Sequence, residues 1–172
     1  STNEILNNSS TLQNDDELSF TIGANEDWAF RFVIQGNSAT QPDFQFAVTA
    51  PGGAPCNVGV TDAEGSVAVG NLGCGVSTGT IAGAGSDEVY EIMGTVRNGA
   101  TAGAVTLQWA QNSSNGANTT VYAGSYLLAT STSGSSGSDF AQGGNSFAAN
   151  AVLGTNDNYA LNFITDSTLR MS

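Results

Sequence analysis

Apolar and polar residues alternate over most of the first 130 positions, and this alternation predicts antiparallel β-strands. Leu18, Phe20 and Ile22 share one side of a strand with period two, and positions 28, 30, 32 and 34 repeat the pattern after a turn at 23–25. Segments of this kind, rich in Phe, Ile and Val, are typical of strands with one buried face. Further strands are predicted within residues 44–48, 58–60, 67–69, 87–98, 105–109 and 121–129.

The spacing of apolar residues contains no helical signal, because no segment repeats with three- and four-residue intervals between caps. About eight short strands separated by turns indicate an all-β, jelly-roll-like antiparallel β-sandwich, with another Greek-key sandwich as the second choice. Residues 72–85 consist mostly of Gly, Ser, Thr and Ala, so a long surface loop is expected there.

Composition divides the chain into four parts. Residues 1–14 are polar and predict an N-terminal arm, and residues 15–129 carry the sandwich. Residues 130–138, TSTSGSSGS, have the composition of a flexible linker. Residues 139–172 predict a short β segment whose strands have too few apolar side chains to fold alone. Three copies around a common axis would bury these side chains, so the segment is expected to trimerise or to dock on a partner.

Charge and the missing residue types exclude several functions. Fifteen acidic residues oppose three arginines, with no Lys and no His, for a net charge of −12. Nucleic acid and anionic membranes are therefore poor partners, and no run approaches the ~20 apolar residues of a membrane span. Without His, neither a Ser-His-Asp nor a Cys-His nucleophile can form within one chain. We predict no catalytic residues, no metal site and no cofactor.

The two cysteines, Cys56 and Cys74, lie among Gly, Pro and Asn in loop-like surroundings. Such a pair suits a disulfide in an oxidising setting. Two free thiols that serve as small apolar side chains are an equal alternative. Two thiolates without His or further Cys do not make a zinc site.

Clustered carboxylates are the remaining candidates for chemistry. Residues 15–17 (DDE) could supply half of a calcium site, although such a run more often forms a solvated strand edge. Asp62 and Glu64 suit a turn, and Asp87 and Glu88 could discourage edge pairing before a strand. A carboxylate pair could also hydrolyse a glycosidic bond, but nothing in the spacing selects one pair.

A platform on which a sugar ring stacks could be formed by five aromatic residues: Trp28, Tyr90, Trp109, Tyr122 and Tyr126. Trp28 and Trp109 alternate with core positions, so they are expected to fill the sandwich, and Tyr90 aligns with core residues of its strand. Tyr122 and Tyr126 share a face with Leu128 in the predicted strand 121–129. They are the predicted ligand contacts.

Two parts of the chain resemble bacteriophage proteins. The words QGGNSF, LGTNDNYALNFITD and TLRM at residues 142–171 resemble a segment that recurs in tail-fibre and related virion surface proteins. The block 14–129, through DDELSFTIGANEDWAFRFVI, TVRNGATAGAVTLQWAQN and TTVYAGSYLLA, is similar to a domain of predicted phage structural proteins.

This resemblance implies a trimeric structural protein at the virion surface, either a tail fibre or a capsid decoration protein. Its expected partners are two further copies of itself, other virion proteins and host-surface glycans. A carbohydrate-binding module for host recognition is the first alternative. An enzyme that acts on surface polysaccharide is the second.

Overall fold

A computed structural model describes residues 2–61 and 69–133, together with the backbone of residues 67–68, 163–165 and 168–171. The chain divides into two compact units, Ser1–Gly134 and Ser135–Ser172. All described secondary structure is β, and the strands of the first unit pair antiparallel in two sheets. The predicted all-β antiparallel sandwich is therefore confirmed. Across the described residues, no helix is long and apolar enough to cross a membrane.

The described residues of the first unit form ten strands: β1 (Glu4–Leu6), β2 (Gln13–Ile22), β3 (Asp27–Ser38), β4 (Phe44–Thr49), β5 (Cys56–Thr61), β6 (Val67–Leu72), β7 (Asp87–Arg97), β8 (Gly103–Gln111), β9 (Thr119–Val121) and β10 (Tyr126–Ser131). In the second unit, β11 (Phe163–Thr165) and β12 (Thr168–Met171) form an antiparallel pair, which agrees with the predicted β segment. Residues 62–66 and 134–162, which include most of the predicted linker and the first part of the predicted β segment, lie outside the described residues.

The two sheets differ in size. The large sheet has seven strands in the order β1-β9-β3-β7-β5-β6, and β10 also pairs with β3. The small sheet has the order β2-β8-β4. Strand β3 organises the large sheet, since it pairs with β7 along one edge and with β10 and then β9 along the other.

The core lies between the sheets and is rich in aromatic side chains, because the alternating residues of both inner faces point into it. The Phe44 ring centroid lies 5.1 Å from those of Phe46 and Tyr90, and all three side chains are fully buried. Gly94 in β7 leaves room for a neighbour, since a Cβ there would lie 2.7 Å from Cζ of Phe30. A larger residue at 94 would displace this ring.

Residues 73–81 cover the outer edge of β4, although the sequence predicts a surface loop there. The amides of Gly75, Thr78 and Ile81 donate to carbonyl oxygens of β4, each at 2.8 Å. Ile81 is only 1% exposed and belongs to the core. Residues 73–80 have no regular strand and are exposed or half-buried, as the predicted surface loop requires, and the buried Ile81 is the exception, because one apolar residue among many small ones gave no period.

Cys56 and Cys74 form a disulfide with a Cα–Cα distance of 5.3 Å. Cys56 begins β5 in the large sheet, and Cys74 lies in the segment that covers β4 of the small sheet. The bond therefore ties the two layers of the sandwich together at one end. Of the two alternatives left open by the sequence, the structure contains the disulfide.

The predicted N-terminal arm is part of the large sheet. Strand β1 pairs with β9, and β2 already begins at Gln13. The buried amide of Gln111 holds the loops nearby. Its Oε1 accepts hydrogen bonds from the amides of Ser9 (3.3 Å) and Asn115 (3.0 Å), and its Nε2 donates to the Ala117 carbonyl (2.7 Å). One side chain thus fixes both the β1–β2 and the β8–β9 connections.

The predicted strand 121–129 is in fact two strands. β9 ends at Val121 and β10 begins at Tyr126. Between them the chain turns at Gly124, whose φ of 106° disfavours residues with a side chain. The turn is closed by the Ser125 amide, which donates to the Tyr122 carbonyl at 3.1 Å. The expectation that Tyr122 and Tyr126 lie on one strand is therefore wrong.

Candidate functional site: the outer face of the large sheet

The outer face of the large sheet, made by β10, β3 and β7, carries most of the exposed large apolar side chains. Four of these residues are Leu128 (56% exposed), Tyr126 (46%), Val89 (46%) and Met93 (40%). None of the four belongs to the core cluster or packs against it. We call this surface the outer face.

The strand register places these side chains in three adjacent rows, one of which holds Val89 opposite Gln35. Leu128 lies opposite Arg31, which lies opposite Met93. In the next row, Tyr126 lies opposite Val33, and Val33 is 5% exposed although it does not belong to the core cluster. Val33 is therefore covered on the outer face itself, where Tyr126 and Glu91 lie opposite it on the neighbouring strands.

Arginine and acidic side chains on this face pair with one another. Arg31 forms an ion pair with Glu91 across β3 and β7. Arg97 lies 3.7 Å from the carboxylate of Asp27 at the end of the same strands. Both pairs are partly solvated, so each contributes little to stability. Their effect is to leave the centre of the face close to electrically neutral.

Tyr122 and Tyr126, the predicted ligand contacts, differ in their engagement. Tyr126 lies on the outer face with much of its ring in solvent. The Tyr122 hydroxyl donates to Oδ1 of Asp87 at 2.8 Å, and this hydrogen bond raises the pKa of Tyr122. Asn37 donates to the same oxygen, and the two donors lower the pKa of Asp87. Tyr122 thus holds the start of β7, and Tyr126 is the better candidate for a ligand.

The other aromatic candidates fill or border the core. Trp109 and Tyr90 are fully buried, so no ligand can stack on them. Trp28 is half-buried and packs against the core, and its indole N–H donates to Glu26 at 2.9 Å. This hydrogen bond and one from the Gly23 amide lower the pKa of Glu26 and close the β2–β3 turn.

Asp15 and Glu17 of the acidic run at residues 15–17 line a small cavity together with Glu4. Oδ1 of the buried Asp15 accepts hydrogen bonds from the amides of Glu17 (3.0 Å) and Leu18 (2.8 Å). Asp15 therefore stabilises the irregular stretch of β2. No three acidic, His or Cys side chains of the described residues are grouped so that they could hold a metal ion.

Glu4 is the carboxylate most affected by these surroundings. Burial raises its pKa, and the negative charges of Asp15 and Asp16 act in the same direction. The Asp16 amide, which donates to Glu4 Oε1 at 3.1 Å, opposes the rise. The fully buried indole N–H of Trp109 also lowers the pKa of Glu4, although it makes no hydrogen bond of normal geometry.

Asp87 and Glu88 do not protect a sheet edge, because β7 is an interior strand that pairs with both β3 and β5. Asp87 accepts the two hydrogen bonds described above. Glu88 accepts a hydrogen bond from the Tyr90 hydroxyl at 2.5 Å and one from the Ala84 amide at 3.1 Å. Asp87 therefore ties the start of β7 to Asn37 and Tyr122, and Glu88 anchors the loop before β7 through Ala84. The other predicted turn acids, Asp62 and Glu64, lie outside the described residues.

Sequence patterns identified Tyr126 and Leu128 but missed the rest of the outer face. Met93 and Val89 occupy the outward positions of β7, where a polar residue is the usual expectation. Apolar residues at consecutive positions of β7, such as Ile92 and Met93, were the available signal. Comparisons with protein-family models, with curated proteins and with solved structures find no match to this chain.

Proposed function

We propose that this protein is a non-catalytic structural component of a bacteriophage virion, displayed on the particle surface as a tail fibre or a capsid decoration. The observation that supports this role best is the division of the chain into two units. A compact sandwich precedes a short β segment whose sequence resembles a segment of virion surface proteins. One unit would be displayed while the other attaches.

The first unit suits long exposure outside a cell. Its core is closed by aromatic contacts, the edge of β4 is covered, and a disulfide ties the two sheets. A disulfide that closes a loop mainly restricts the unfolded chain, and such bonds persist in oxidising surroundings. The low charge content leaves a surface rich in hydroxyl and amide groups.

The second unit would supply assembly. The strands β11 and β12 are three and four residues long, and a two-stranded hairpin of this size is marginal in water. Threefold association would bury its apolar side chains against those of two further copies. A homotrimer attached to other virion proteins is the arrangement we propose.

Quantitative mass spectrometry of density-purified particles tests the virion assignment. We expect this chain in the particle fraction, at a copy number divisible by three. Its absence from purified particles, with abundant free protein in the lysate, would contradict the proposal.

Sedimentation of the full chain tests the trimer separately. We expect a mass three times the 17.4 kDa of one copy, or a multiple of that trimer. The substitution Phe163→Asp should abolish the threefold species, and Phe163→Leu, which keeps an apolar side chain at the same position, is the matched control. A full chain that stays monomeric at micromolar concentration would refute the trimer.

A carbohydrate-binding module is the second candidate, and the exposed ring of Tyr126 favours it. Aromatic rings stack on the apolar faces of sugars, and polar groups beside them set specificity. On a glycan array, Tyr126→Ala should abolish binding. Tyr122→Phe should preserve it, because the Tyr122 hydroxyl already bonds to Asp87. This function would be dismissed if both variants and the native chain gave equal binding signals that do not saturate as the protein concentration rises.

A further inference from the structure

We propose that the free edge of β10 pairs with β10 of a second copy, so that two large sheets join into one antiparallel sheet across a two-fold axis. β10 pairs with β3 along one edge, and no described strand pairs with its other edge. This contact is separate from the threefold assembly proposed for residues 139–172.

The direction of the backbone groups follows from the β3–β10 register. The Thr132 amide donates to the Asp27 carbonyl at 2.7 Å, and the register continues through Thr130 opposite Ala29 and Leu128 opposite Arg31. Since hydrogen-bonded positions alternate along an antiparallel pair, the even-numbered residues of β10 bond to β3. The main-chain groups of Leu127 and Ala129 therefore point away from β3, toward the free edge.

Three other sheet edges are protected against such pairing, whereas the edge strand β6 (VAVGNL) is, like β10, without charge or Pro. Residues 73–81 cover the edge of β4. The edge strand β2 is irregular between Asn14 and Ser19 and carries three consecutive acids. β1 has only three residues, one of them Glu4. These are devices by which proteins prevent edge-to-edge association. β10 has six residues, YLLATS, none of them charged or Pro.

Charge identifies the occupant as a second copy of the chain. On the outward positions of β3, β7 and β10, the acids Asp27, Asp87 and Glu91 oppose Arg31 and Arg97, which leaves one net negative charge. The whole chain carries −12, so the other eleven lie elsewhere. Two equally acidic molecules can approach with least repulsion where their surfaces are nearly neutral.

The strand is also self-complementary about its centre. With Leu128 on the two-fold axis, Leu128 meets Leu128 of the second copy, and Tyr126 meets its Thr130. Leu127 and Ala129 of the two copies then exchange main-chain hydrogen bonds, because their groups point toward the partner. Leu128 loses exposed apolar surface in both copies at once, and such burial favours association.

Disulfide trapping of the full-length chain tests this register. Directly opposed residues at a non-hydrogen-bonded antiparallel position have Cα atoms about 4.5 Å apart, which is within the range a disulfide spans. Leu128→Cys should therefore form a covalent dimer under mild oxidation. Thr95→Cys, an exposed position on the same face in β7, is the matched control and should react at least tenfold more slowly.

Ala129→Pro provides a second test, because it removes an edge N–H that does not bond to β3. We expect this variant to keep the native melting temperature within a few degrees and to lose the doubling of mass in sedimentation. The threefold species of residues 139–172 should persist, so failure of one contact is distinguishable from failure of the other. Cross-linking of Leu128→Cys no faster than that of Thr95→Cys would overturn the proposal and leave the face to a different ligand.

Discussion

Removal of the Cys56–Cys74 disulfide is the strongest test of how the two sheets are held together. The double substitution Cys56→Ala and Cys74→Ala deletes one bond between β5 and the segment over β4. Both cysteines are partly buried against the core, so alanine keeps an apolar residue at each position.

The expected magnitude follows from the 18-residue separation of the two cysteines. The chain-entropy relation gives a loss of about 3 kcal/mol for a loop of this length. A first unit of Ser1–Gly134 has an unfolding entropy near 0.28 kcal/mol/K, on the order of 2 cal/mol/K per residue. The melting temperature of the first unit should therefore fall by about 11 °C.

Differential scanning calorimetry of the full chain measures this change, and the native chain in a reducing agent is the control. Both samples should melt at the same lowered temperature. Hydrogen exchange should accelerate first at residues 73–81, since these residues lose their tether to β5. A decrease below about 2 °C in both samples would refute the idea that the bond restrains the unfolded chain.

Three further predictions concern single side chains. Gly94→Ala should destabilise by about 1–3 kcal/mol in urea unfolding, because the new Cβ would lie 2.5 Å from the Asn57 carbonyl oxygen and 2.7 Å from the Phe30 ring. Gly52→Ala, with open space around its Cβ, should change stability by less than about 0.5 kcal/mol, and equal effects would contradict this account. Gln111→Leu should cost about 3 kcal/mol, since it leaves two amides and one carbonyl without their partner. Glu4→Gln should match the native chain below pH 4 and become the more stable of the two as pH rises, because burial raises the pKa of Glu4 in the folded state and its ionisation disfavours folding. A pH-independent difference between the Glu4→Gln and native melting curves would contradict that cause.

Period-two alternation predicted the fold class because each inner-facing residue of a sandwich must be apolar. Phe30, Phe32 and Ile34 face the core as the pattern requires. The alternation could not predict which strands are neighbours, since β3 pairs with β9, β10 and β7 through contacts far apart in sequence. Nor could it separate β9 from β10, because Gly124 interrupts the backbone without interrupting the apolar pattern.

The candidate site was predictable only in part, for a related reason. Tyr126 and Leu128 stand out because they follow a period-two alternation. The sequence alone does not show whether Met93 faces outward or into the core. Whether it is exposed depends on the register with Arg31. Gln111 was missed because a buried amide resembles a surface one until its three partners are known.

Ionic strength distinguishes pairing at β10 from association through the ion pairs of the outer face. If main-chain hydrogen bonds and Leu128 hold two copies together, the acids elsewhere oppose the contact by long-range repulsion. Salt shortens the range of this repulsion from about 30 Å at 0.01 M to about 8 Å at 0.15 M. The association constant of the dimer, measured by sedimentation, should therefore rise with added salt. In the alternative contact, Arg31 of each copy pairs with Glu91 of the other copy. Salt would weaken that contact, because it screens the attraction between the opposite charges. If the association constant decreases as salt is raised from about 0.01 to about 0.3 M, pairing at β10 is refuted and the ion pairs are favoured.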